Sequence, residues 1–210
     1  MDLQVFLESF IGQVSVVVVI AVLFVIIAKS DKGGFNTKAL ATSAVLIAIA
    51  FALNQITLFR MPQGGSITPL SMLVVVLVGY FFGPRQGIMA GMAFGLLDLL
   101  IAPYAMTPIQ ILLDYPFAFG ALGLAGLFRN RKKGLTIGYI VGVFGRFICV
   151  FISGVVFWGI YAPEGSNVFV YSAVYNGTYL LVEGIITIVV LQIPAVKNMF
   201  DRLRKQIAEN

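Results

Sequence analysis

The sequence predicts an all-α integral membrane protein. Of its 210 residues, 60% are apolar and only 11% charged, and its mean hydropathy is strongly positive, which sets it apart from soluble globular chains. The apolar residues fall in continuous runs long enough to cross the ~20-residue hydrocarbon layer. The runs do not alternate with period two, and their Gly- and Pro-containing connections are unlike barrel hairpins, so helices are favoured over strands.

Seven helices are predicted, at 5–28, 37–58, 67–82, 87–102, 109–127, 135–159 and 170–195. The first reads as a retained helix: its leader MDLQ lacks a positive charge, its apolar stretch exceeds a signal h-region, and no A-x-A site closes it. The second carries Ala44, Ala48 and Ala52 at every fourth position, a stripe that lets another helix approach closely. The third and fourth are the shortest, and Gly87, Gly91 and Gly95 give the fourth an internal packing face. The last three hold the polar residues treated below, and KNMFDRLRKQ after them reads as a basic tail touching anionic lipid.

Basic residues orient the helices. Lys29, Lys32, Lys38, Arg85, Arg129, Arg131, Lys132, Lys133, Lys197, Arg202, Arg204 and Lys205 all fall on one side of such a bundle. The positive-inside rule makes that side cytoplasmic, with the N-terminus outside, the C-terminus inside, and loops near 59–66, 103–108 and 160–169 facing outward. The excess of 14 Lys and Arg over 9 Asp and Glu therefore reports topology and not a nucleic-acid footprint. With no histidine and the single Cys149, imidazole chemistry, an intrachain disulfide and a multi-cysteine metal site are excluded. No Gly-Lys-Ser/Thr phosphate loop occurs, so ATP is not hydrolysed by this chain.

Ionisable groups at membrane depth are costly and mark candidate sites; here they are Asp98, Asp114, Arg146 and Glu183. Asp114, flanked by Tyr115 and preceded by Tyr104 and Gln110, can receive an amine or a cationic ring; pairing with Arg146 is the alternative. Arg146, Val150, Gly154 and Trp158 recur every fourth residue, so one helix face runs from a cation to an aromatic plate, where Gly154 lets a flat ligand near the backbone. Ser172, Asn176, Tyr179 and Glu183 form a polar stripe on the last helix. Asn176 offers both a donor and an acceptor to a heterocycle edge, whereas Asp98 and Glu183 read as structural. Such a pocket fits a small aromatic heterocycle better than a sugar or an ion.

At FRMPQGGSIT, QILLDYPFAFGALGLAGLF, RF-x₄-FISGVVFW, YAPEG and VYNG the sequence resembles the thiamin-specific (ThiT/YuaJ) S components of energy-coupling factor vitamin importers, over roughly 37–195. The resemblance implies a six-helix S-component bundle at 37–196, an extra N-terminal transmembrane helix with a cytoplasmic linker at 1–36, and a basic cytoplasmic tail at 197–210. It implies a bacterial plasma-membrane protein, no enzyme, that needs no cofactor and takes thiamin as its ligand. Ligand roles are implied for Tyr104, Asp114, Tyr115, Arg146, Gly154, Trp158, Tyr171 and Asn176, with Trp158 stacking on the aminopyrimidine while Asp114 and Asn176 bond its polar edge. Ala44, Ala48 and Ala52 match the stripe by which S components dock on a transmembrane coupling subunit served by two cytoplasmic ATPases.

The chain departs from that pattern at Val150, where relatives carry a histidine, and in the GGSIT loop, which offers no aromatic. Both changes weaken the thiazolium half of the site, leaving thiamin itself or a related pyrimidine or precursor as the ligand. Arg146 stands where some relatives have lysine, replacing a point charge by a planar fork. The rival reading is a self-sufficient secondary carrier coupled to protons through Asp114 or Glu183.

Overall fold

The computed structural model describes residues 3–31, 37–62, 65–105 and 107–209; Lys32 of the predicted linker and Gln63 and Gly64 of the FRMPQGGSIT segment lie outside them. In chain order the elements are α1 (Leu3–Glu8), α2 (Phe10–Ser30), α3 (Thr37–Gln55), β1 (Phe59–Arg60), β2 (Ser66–Ile67), α4 (Ser71–Phe82) and α5 (Pro84–Ile101). There follow α6 (Pro108–Phe128), α7 (Gly134–Phe157), α8 (Val168–Gln192) and α9 (Pro194–Glu209). The all-α membrane bundle stands: α2, α3, α6, α7 and α8 are each long and apolar enough to cross a bilayer.

Boundaries depart from the sequence reading where a local hydrogen bond outweighs hydropathy. Ser9 interrupts the first predicted helix: its Oγ donates to Phe6 O at 2.6 Å and accepts from the Gly12 N–H at 3.1 Å, capping α2. The third helix starts at Ser71 instead of residue 67, because Ser66 and Ile67 pair antiparallel with Arg60 and Phe59. Trp158 lies just past the end of α7, with φ −110° and ψ 4°, while its N–H still bonds Gly154 O. The basic tail is the amphipathic helix α9, which sets Val196 and Phe200 against the core. The Tyr80 hydroxyl donates to Asp201, and Arg204 lies 5.0 Å from the Tyr80 ring and donates to Asn130 Oδ1 at 2.7 Å.

Helix α6 is the axis of the bundle, with 72% of it buried against 11% of α2. Helix α5 meets it through bare backbone. A Cβ on Gly87 would sit 2.9 Å from Gly123 Cα, on Gly91 3.0 Å from Gly120 Cα, and on Gly95 2.6 Å from the Tyr115 carbonyl carbon. Helix α6 is irregular at that contact: Leu113–Phe117 is a π-turn containing Pro116, which has no N–H to give an α-helical bond. Helix α2 is seated outside this axis by Phe24, edge-on to Phe117 at 5.8 Å.

The 12-residue α4 is about 18 Å long at 1.5 Å per residue, too short for the ~30 Å hydrocarbon core. The loop before it reaches inward to Glu183, deep in α8. The Glu183 carboxylate accepts from the Thr68 N–H and hydroxyl, both at 2.9 Å, and from the Met72 N–H at 3.3 Å. A carboxylate thus caps a buried helix start, where free N–H groups would otherwise stand without water. Glu183→Ala is expected to destabilise the fold by about 2–3 kcal/mol, read as a lower thermal unfolding midpoint in detergent; an unchanged midpoint would refute the cap.

Candidate functional site

The π-turn places Asp114 and Tyr115, both buried, at the centre of the bundle. Two adjoining cavities meet there. The larger, about 310 Å³, is polar and lies among α3, the β1–β2 hairpin and α5 to α8; its lining includes Asn54, Arg60, Asp98, Arg146 and Glu183. The smaller, about 30 Å³, is lined by Trp158, Gly154, Tyr171, Ser172, Tyr175 and Asn176. Gly65, Tyr104, Asp114, Val150 and Tyr179 border both.

The sequence-selected residues are therefore brought together with one exception. Tyr104, Asp114, Val150, Gly154, Trp158, Tyr171 and Asn176 line the small cavity, and Arg146 lines the large one. Tyr115 lines neither. Its hydroxyl donates to Ala102 O at 2.6 Å and accepts from the Tyr104 N–H at 3.0 Å, and its ring lies 5.0 Å from that of Tyr104. It holds the segment that presents Tyr104. That ring in turn lies 6.1 Å from Trp158, which is 5.3 Å from Tyr161, and Tyr104 and Trp158 form an aromatic rank along the small cavity.

Asp114 and Arg146 are not an ion pair. Asp114 Oδ2, Arg146 Nε and Ser153 Oγ are buried without a hydrogen-bond partner, and the guanidinium instead lies 3.8 Å over the Phe119 ring. Unmet buried polar atoms are few in native folds, and the two that line the larger cavity, on Asp114 and Arg146, mark it as built for something polar. The other carboxylates are already satisfied, Asp98 by Asn54 Nδ2 at 2.6 Å and Glu183 by the α4 cap. Both therefore serve structure, and Glu183 takes backbone amides in place of Arg146.

Asn176 is held by its neighbours. Its Nδ2 donates to Val150 O at 3.2 Å and Ser172 O at 3.1 Å, and its Oδ1 accepts from the Tyr179 hydroxyl at 3.2 Å. Gly154 makes this possible, since a Cβ there would lie 2.9 Å from Asn176 Nδ2. Tyr179 also packs its ring on Gly65 of the outer loop, where φ is +80° and a Cβ would meet the ring at 2.7 Å. Sequence reasoning placed Tyr179 and Ser172 on the polar stripe of α8 but gave them no role at the cavity. Gly65, Asn54 and Arg60 were missed, because only the fold brings the end of α3 and the β1–β2 hairpin against residues of α6 to α8 more than forty positions away.

Ala44, Ala48 and Ala52 lie on the exposed side of α3, opposite buried Ala39, Ser43, Ile47 and Ala50. Exposed Leu40, Val45 and Ile49 flank them.

Comparison with known proteins agrees with this geometry. Residues 40–201 match the family described as thiamine transporter protein (Thia_YuaJ). The chain is 35% identical over 164 residues to a thiamine transporter ThiT of Bacillus subtilis, covering 70% of this chain and 85% of that protein. It is 34% identical over 170 residues to a thiamine transporter ThiT of Lacticaseibacillus paracasei, covering 71% and 82%. Among solved structures, ThiT from Listeria monocytogenes superposes with a TM-score of 0.62 at 28% identity, covering 75% of this chain and 96% of that one.

Tyr115→Phe removes the acceptor of the Tyr104 N–H. Faster amide exchange at Tyr104 and a stability loss of about 1 kcal/mol are expected; exchange at the original rate would mean the hydroxyl does not hold the segment.

Proposed function

Because the chain belongs to the thiamine transporter protein family, we propose that it captures thiamin from outside the cell and delivers it inward as the substrate-binding subunit of an energy-coupling factor importer. It is a multi-pass membrane transport protein, not an enzyme, and thiamin is its cargo rather than a cofactor. The observation that carries the reading is the Asp114 carboxylate between the Trp158 slot and the polar cavity, with its Oδ2 buried and unmet. A cationic ring would lie between the carboxylate and the aromatic rank, and Asn176 and Trp158 would take the aminopyrimidine.

The small cavity holds little free volume, so a ligand stacking on Trp158 would displace Tyr104 or Tyr179, the two aromatic side chains that border both cavities. Displacing either joins the two cavities into one elongated site. Val150 lies in that common wall, where a histidine would reach inward; its small apolar side chain leaves a precursor or related pyrimidine as the alternative ligand. Arg146 would lie beyond, toward the polar end of the site.

Delivery follows the same reading. The exposed Ala44, Ala48 and Ala52 stripe is the docking face for the coupling subunit, and two cytoplasmic ATPases supply the energy. Helix α2 leaves this face accessible, because its seat is on α5 and α6. The basic loops and tail face the cytoplasm and the β1–β2 hairpin faces outward.

The single tryptophan makes a direct assay. Titration with thiamin and with its pyrimidine and thiazole fragments is expected to quench Trp158 saturably, and Asp114→Asn to weaken thiamin binding about tenfold or more; no saturable quenching by any of them would overturn the assignment. Ala48→Phe is expected to leave that titration unchanged and to abolish uptake into vesicles holding the coupling subunit and ATPases. Uptake by this chain alone under a proton gradient would favour a secondary carrier.

A further inference from the structure

Helices α7 and α8 enclose a third cavity that plays no part in the site above. It is an almost wholly apolar groove of about 390 Å³, lined by residues 139–147 of α7 and 173–188 of α8. Its floor includes Gly177 and Gly184, and a Cβ added at Gly184 would meet no atom within 4 Å. Exposed Ile140, Phe144, Leu181 and Ile185 border it, so it faces the lipid.

The groove has a direction. Toward the Trp158 end, Phe144, Phe147 and Phe151 stack in sequence at 6.3 and 5.7 Å, and Phe169 of α8 lies 6.4 Å from Phe151, which fills the space between the helices. At the opposite end, Tyr139 is five residues from Gly134 at the start of α7, about 8 Å at 1.5 Å per residue. Lys132 and Lys133 stand just before that start. Lys197, in the first turn of α9, stands just beyond the matching end of α8. All three lysines are exposed, and among the described residues none of their side chains has a hydrogen-bond or ion-pair partner.

We infer that this groove is a binding site for an anionic phospholipid of the leaflet on the side of the 129–133 loop. One acyl chain lies between α7 and α8 over Gly177 and Gly184, and the phosphate meets Lys132, Lys133 and Lys197. Apolar fit alone would admit any lipid. The three cations select charge, at about fivefold per residue near a membrane surface.

The test is retention of defined lipid. Full-length chain is purified from vesicles of equal phosphatidylglycerol and phosphatidylcholine, and bound lipid is counted by native mass spectrometry. Phosphatidylglycerol is expected to be retained in about tenfold or greater preference. Lys132→Gln, Lys133→Gln and Lys197→Gln together are expected to bring that preference close to one. Gly184→Leu, whose Cβ meets no atom within 4 Å and whose side chain extends into the groove, is expected to remove the retained lipid and to leave thiamin titration unchanged. Equal retention of the two lipids would overturn the inference. So would lipid retention that survives Gly184→Leu, including a case where that variant instead loses a coupling-subunit complex.

Discussion

In a hydrocarbon layer every backbone amide needs a partner from the protein, and this bundle depends on how Glu183 meets that need. A charged residue deep in α8 would ordinarily be a liability. Here its two oxygens take the Thr68 and Met72 amides, which allows α4 to begin inside the bundle. The segment above α4 can then be a hairpin and an irregular loop, roofing a polar cavity without exposing unpaired backbone to lipid. Remove the cap and the loop, the short helix and the cavity lose their common support.

The second constraint is the π-turn of α6. Pro116 withholds an N–H, and the resulting wide turn lies against the bare backbone of Gly95. This spends two normally unfavourable features, a helix-interior proline and a helix-interior glycine, on aiming one carboxylate into a cavity. Phe24 of the N-terminal helix closes the turn from the lipid side through Phe117. That helix precedes the family-matched region, which starts at residue 40, yet it touches the element that carries Asp114.

How much was legible in the sequence follows the range of the interactions. The apolar helical segments were readable because hydropathy is local, though among the described residues only five of the seven are long and apolar enough to cross a bilayer, and the face of α7 from Arg146 to Gly154 was readable because helical periodicity is local. The end of that helix was placed two residues too late, at 159, since hydropathy does not register that Trp158 is the C-terminal cap. The α9 tail was read by charge alone, although Val196, Phe200, Leu203 and Ile207 carry a helical repeat. Partners of buried charges were beyond reach: that Glu183 meets residues 68 and 72, or that Asp98 meets Asn54, depends on contacts more than forty residues apart. Tyr115 looked like a ligand contact because Tyr104 and Asp114 beside it line the cavities. Only the hydroxyl's two backbone bonds reveal it as a brace.

The attachment of α9 has a mechanical consequence. Tyr80 and Asn130, on two different parts of the bundle, hold α9 through Asp201 and Arg204, so the helix is an outrigger and not a free tail. Any rotation of the bundle about an axis in the membrane plane sweeps α9 along with it, pushing Lys197, Arg202 and Lys205 toward hydrocarbon or lifting them from the headgroups. The charged helix thereby moves as one body with the bundle, and its basic face records the bundle's tilt.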